Sequence, residues 1–219
     1  MLEGFKINCY PLNRSIRVTI HLPKDYNNTR RYYPVIYILD GQNAFKDEDS
    51  YRGSSLGFEE IIEILSLEGK DAIYVGIAAA SNPEKREQEY QNTTLSNFIV
   101  SSIHPYLTTR YRMNSYVYVL GCSTAAFTAL SLAKQELFKG AILISPIVKL
   151  EEIEEIEKLN QKLLYIYAGD KELNGECKKI ALELKCILKD ANYCFDDNAL
   201  HQEQAWKKKI LEALNYLVL

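Results

Sequence analysis

The sequence predicts an α/β fold: a mostly parallel, doubly wound sheet with an antiparallel strand pair at its start. Three observations carry this. Five short runs, at residues 35–39, 72–77, 116–120, 141–144 and 163–167, are apolar without a polar face. Stretches of helical period lie between them, and an alternating segment, residues 15–22 (SIRVTIHL), precedes them all. Unbroken β-branched and aromatic runs suit strands covered on both faces, whereas strict alternation suits a half-buried antiparallel strand. Strand and helix in alternation mark a parallel sheet with helices on both sides.

The elements follow in order. Pro23 ends the alternating strand, and residues 24–33 are a polar connection. The run VIYIL at 35–39 is the first central strand. Phe58, Ile61, Ile62 and Leu65 fall at i, i+3, i+4 and i+7, the stripe of an amphipathic helix. The strand AIYVGI follows at 72–77, then YVYVL at 116–120, AILI at 141–144 and LLYIY at 163–167. The acidic stretch from Glu151 to Glu157 alternates carboxylates with Ile153 and Ile156, and reads as the solvated face of a short helix. Ile180, Leu184, Ile187 and Leu188 mark another helix, and residues 200–219 form the last. His21 falls on the N-terminal strand and His104 within a helix. No repeat, low-complexity tract or linker divides the chain, so one domain over residues 1–219 is expected.

Composition narrows the function. At 47% hydrophobic, 219 residues bury a core without a metal or a disulfide framework. The net charge of −3 provides no basic stripe for phosphates, which argues against nucleic acid as a partner. The cysteines, Cys9, Cys122, Cys177, Cys186 and Cys194, are odd in number and lack any C-x-x-C pair. They read as reduced thiols rather than as zinc ligands. No signal-peptide pattern opens the chain, and no apolar stretch approaches the roughly 18 residues of a membrane span. A cytoplasmic protein without a membrane partner is expected; a homo-oligomer is left open.

The chemistry centres on residues 116–126, where a buried strand runs into Gly121-Cys122-Ser123-Thr124-Ala125-Ala126 and an alanine-rich helix begins at once. A nucleophile elbow needs small residues two before and two after its serine, because bulk there would strike neighbouring backbone. The alternative is a plain N-cap serine. Such a fold, an α/β-hydrolase, orders its triad as serine, acid, histidine. After Ser123 the chain contains a single histidine, His201, in a polar loop before the last helix. The acid should follow the 163–167 strand, where Glu172 and Asp170 compete; Glu172 is preferred. The amides of Thr124 and of Gln42, in the loop after the first central strand, are the candidate oxyanion donors.

These motifs resemble the esterases related to esterase D and the enterobactin esterases. The resemblance rests on residues 37–45, Val75-Gly76-Ile77, residues 86–90, Phe98-Ile99-Val100 with Pro105, and Tyr111-Arg112. The elbow, Ser145-Pro146, residues 168–172 and residues 201–206 complete it. It implies hydrolysis of small-molecule carboxylic esters, siderophore-type esters among them, through an acyl-serine, with no metal and no organic cofactor. It also implies a substrate contact for Arg86, whose alternative is a surface pair with Glu89. The chain departs from the family's G-S-S-x-G-G at Cys122, Thr124, Ala125 and Ala126, replaces an aromatic near residue 56 by Leu56-Gly57, and leaves room only for a minimal cap before Leu163. Acyl transfer or peptide hydrolysis by the same triad is one rival. A catalytically degenerate hydrolase that binds a ligand or partner is another.

Overall fold

The computed structural model describes residues 1–51 and 53–217. In chain order, β1 (Leu2–Cys9) and β2 (Arg14–His21) form a hairpin, followed by β3 (Tyr33–Leu39), helix α1 (Phe58–Leu67) and β4 (Ile73–Ile77). Helices α2 (Pro83–Tyr90), α3 (Thr94–Phe98) and α4 (His104–Thr108) lead to β5 (Met113–Cys122), with a π-helical turn, Ile99–Ile103, joining the last two helices. Then come α5 (Ala126–Ala133), β6 (Gly140–Ile144), β7 (Leu163–Gly169), α6 (Glu176–Ile187), β8 (Asn192–Asp196) and α7 (Glu203–Leu217). The end of the expected last helix, residues 218–219, lies outside the described residues. Its expected start is corrected: residues 200–202 form a bent loop, and the helix begins at Glu203.

Among the described residues, eight strands join one sheet in the order β1-β2-β4-β3-β5-β6-β7-β8. β1 pairs antiparallel with β2, and β2 antiparallel with β4; every later pairing is parallel. Alternate residues of each central strand face opposite cores. Val35, Tyr37 and Leu39 pack with α3, α4, α5 and α6 on one side. Ile36 and Ile38 pack with α1 and α7 on the other. That double burial is why these runs carry no polar face. The strand expected at 15–22 is β2, and the five central runs are β3 to β7.

Two further expectations change. The acidic stretch forms two 3₁₀ turns, Leu150–Glu152 and Ile156–Gln161, rather than one helix, though Ile153 and Ile156 are buried and the glutamates exposed. A parallel strand, β8, also stands at the far edge where no apolar run announced it. Among the described residues, no helix is long and apolar enough to cross a membrane.

Candidate active site

Strand β5 ends at Cys122, and Ser123 then takes φ 57°, a left-handed conformation that non-glycine residues seldom adopt. The reversal projects the serine from the strand end into a 3₁₀ turn, Ser123–Ala125, that feeds α5. Gly121 makes the turn possible. A Cβ there would stand 2.6 Å from Ala125 O and 2.9 Å from the Ala129 methyl, and that backbone cannot yield. Ala125 and Ala126 are fully buried in ordinary right-handed conformation, so neither position requires glycine.

The loop after β8 brings His201 to the serine, with Nε2 3.2 Å from Ser123 Oγ. On the other side of the ring a carboxylate oxygen of Glu172, Cys177 Sγ and a ring nitrogen of His201 all lie within 4.8 Å of one another. Glu172 is completely buried and fixed by three donors: Ser145 Oγ at 2.7 Å, Trp206 Nε1 at 3.0 Å and the Gly169 amide at 3.0 Å. The Trp206 indole also stands edge-on to the imidazole, ring centres 4.8 Å apart. Asp170 is engaged elsewhere, its Oδ1 accepting from the Asn198 amide at 2.5 Å. Of the two competing carboxylates, the one brought to the histidine is Glu172.

Ser145 and Trp206 belong to motifs visible in the sequence, but nothing there pointed to contact with Glu172. Cys177 was missed outright. Its thiol lies 3.6 Å from His201 Nδ1. Burial, and next the charge of Glu172, push its pKa up to about 12; burial likewise raises that of Cys122, beside the serine. Both shifts favour the neutral thiol over the thiolate, the form a cysteine nucleophile needs. Glu172, Cys177 and His201 are also the cluster among the described residues that could close on a metal ion, though Glu172 is already held by its three donors.

Facing the elbow is the loop after β3. Asp40 takes φ 55° and starts a 3₁₀ turn, Gly41–Asn43, whose bonds run from Asn43 N–H to Asp40 O and from Ala44 N–H to Gly41 O. The Gln42 amide stands ahead of these bonds, as the Thr124 amide does at the second position of its own turn, so each is a first-turn donor. A Cβ on Gly41 would lie 2.3 Å from the Gly76 carbonyl carbon, so the loop sits directly against β4. The Gln42 side chain accepts from the Ala79 amide at 3.0 Å.

The surface pair between Arg86 and Glu89, the alternative to a substrate contact, does not form. Glu89 is taken by Arg14 at 2.6 Å. Arg86 instead donates twice to Asp40, Nε–Oδ1 2.8 Å and Nη2–Oδ2 2.6 Å, and once to Thr124 Oγ1, from Nη1 at 2.9 Å. Asp40, Gln42, Arg86, Ser123 and His201 line a cavity of about 490 Å³ whose walls include Leu56, Pro83 and Trp206.

A mostly parallel sheet with a serine on a left-handed turn after the fifth strand and a histidine after the last is the architecture of an α/β-hydrolase. The chain belongs to the family described as "Putative esterase", whose model matches residues 10–213. Its general chemistry is therefore ester hydrolysis. No curated protein matches it by sequence. Among solved structures it is similar to a ferulic acid esterase, with TM-score 0.78 and 15% identity over 100% of this chain and 98% of that one. It is similar also to an IroE-like serine hydrolase from Shewanella oneidensis (TM-score 0.76, 16% identity, 100% of this chain and 79% of that). An enterobactin esterase from Shigella flexneri, solved in the presence of enterobactin, superposes with TM-score 0.77 at 16% identity; 98% of this chain is covered, and it spans 57% of that larger one. At such identities the likeness concerns the fold.

Proposed function

We propose that the protein is a serine esterase acting on small carboxylic esters through an acyl-enzyme. The observation that carries this reading is the 3.2 Å approach of His201 Nε2 to Ser123 Oγ, with that serine held at φ 57° on the elbow. His201 takes the hydroxyl proton as Ser123 Oγ forms its bond to the ester carbonyl carbon. Glu172 holds the ring in the tautomer whose Nε2 is free to accept. The Gln42 and Thr124 amides receive the negative charge that develops on the carbonyl oxygen, the usual source of several kcal/mol of barrier lowering. On collapse the carbon–oxygen bond to the alcohol breaks, and the alcohol leaves with the proton from His201. Water, deprotonated by the same ring, then releases the acid and restores Ser123.

Arg86 lines the cavity on the side of the Gln42 loop, and siderophore-type and other small esters are the substrates to screen first. The five cysteines are free thiols, which favours a reducing compartment and hence the cytoplasm. Hydrolysis of a short p-nitrophenyl ester by Ser123→Ala tests the reading. The variant should fold normally and lose at least about 10⁴ in kcat, since loss of a nucleophile removes the covalent route. Retention of more than a hundredth of wild-type turnover would refute it.

A further inference from the structure

Arg86 lines the cavity, yet three of its five N–H groups already donate to protein partners. Nε, Nη1 and Nη2 each already donate, and the guanidinium stands over the Tyr90 ring, 5.0 Å from its centre. Tyr90 is fully buried, and its hydroxyl accepts the Asp40 amide at 2.9 Å. Asp40 Oδ1 also accepts from Gln42 Nε2 at 3.2 Å. A continuous set of bonds therefore runs from the Gln42 loop through Asp40 and Arg86 to the Thr124 hydroxyl.

The two ends of that set are the residues whose amides are the candidate oxyanion donors. They come from different strands and share no direct bond. Asp40 is 4% exposed, so its ion pair works in a poorly solvated setting where geometry is held more firmly than at a surface. We infer that Arg86 is a positioning residue: it ties the loop after β3 to the nucleophile elbow and so sets the spacing of the Gln42 and Thr124 amides, rather than gripping the substrate. This inference rests on the serine-esterase reading above.

A positioning role and a substrate contact differ in what they cost. A donor displaced by a fraction of an ångström weakens the transition state alone, so kcat falls and KM holds. A lost substrate contact raises KM. The experiment measures kcat, KM and the inhibition constant of phenylboronic acid, which forms a tetrahedral serine adduct, for Arg86→Gln, Arg86→Lys and Thr124→Val. Arg86→Gln should lower kcat by about 10- to 100-fold, a part of the cost of losing one oxyanion donor outright. KM should stay within about twofold, and boronate binding should weaken in step with kcat. Arg86→Lys should recover part of the loss, because an ammonium keeps the charge but not the fork. Thr124→Val leaves the Arg86–Asp40 pair intact and removes one link, so it should lower kcat several-fold in a fully folded protein. In Arg86→Gln the effect of Thr124→Val should largely vanish, since both cut the same connection. A rise in KM with kcat unchanged would overturn the inference in favour of substrate binding. Additive effects of the two substitutions would overturn it as well. Fluorophosphonate labelling of Ser123 in each variant keeps the two levels apart: absence of labelling in wild type would strike the esterase reading itself, not the role of Arg86.

Discussion

Glu172 and Asp170 look alike in the sequence, each a carboxylate just past the end of β7, yet their partners divide their work. Asp170 holds the Asn198 amide and so anchors the loop that carries His201. Glu172 lies beside the ring, oriented by Ser145, Trp206 and Gly169. Glu172→Gln should therefore lower kcat by about 10² to 10⁴, the scale of a mis-set tautomer, and Asp170→Asn by less than about tenfold. The reverse order in ester hydrolysis would move the role to Asp170. A base must be neutral to accept the serine proton, so kcat/KM should rise with pH along a limb that disappears in His201→Ala. Burial lowers the pKa of both His21, to about 4, and His104, and neither residue lines the cavity that contains Ser123. Neither supplies that limb, and His104→Gln should leave its midpoint in place. The proximity of Ser123, Glu172 and His201 was legible in the sequence because chain order and a single downstream histidine restrict the choice. The bonds of Arg86 were not, because Asp40, Arg86 and Thr124 are far apart in sequence and nothing in their spacing announces contact.

Elements were legible in proportion to their burial. The five central strands declared themselves because both faces are covered and polar residues are excluded. β8, whose residues NYCFD are exposed or half-buried at the sheet edge, obeys no such rule. β1 is the other edge, with an exposed or half-exposed residue at nearly every position, and only its partner β2 showed alternation. The elbow was readable from small residues, but its departure from the glycine-rich form has a plain cause: Ala125 and Ala126 are helical and buried, and only Gly121 meets backbone. Gly121→Val should destabilise the protein by at least about 1–3 kcal/mol, the cost of overpacking against atoms that cannot move. Denaturant unfolding measures this. Ala125→Gly, by contrast, should gain no activity. An increase of tenfold or more would mean that the methyl group obstructs the site.

At the scale of the whole molecule, acid sensitivity should arise from the sheet rather than from the site. His21 is shifted down by burial and by the nearby N-terminal ammonium, and its Nδ1 is buried without a partner. Above about pH 6.5 the ring is neutral folded or unfolded, and stability is at its full value. Between about 6.5 and 4 the unfolded chain takes up the proton while the folded one does not, so stability falls as pH falls and levels off below about 4. His21→Phe, which keeps the stacking on Phe45, should flatten that slope in urea titrations; an unchanged slope would assign it to other groups. Activity and stability should thus respond to pH through different histidines. In the proposed esterase one sheet brings Ser123 and His201, 78 positions apart, together as nucleophile and base. This pairing is tested most directly by treating the folded wild-type protein and His201→Ala with a fluorophosphonate and locating the adduct by peptide mass spectrometry. One stoichiometric adduct is expected, on Ser123, formed at least about a hundredfold faster in wild type than in the variant. Modification at another residue, or equal rates in the two proteins, would contradict it.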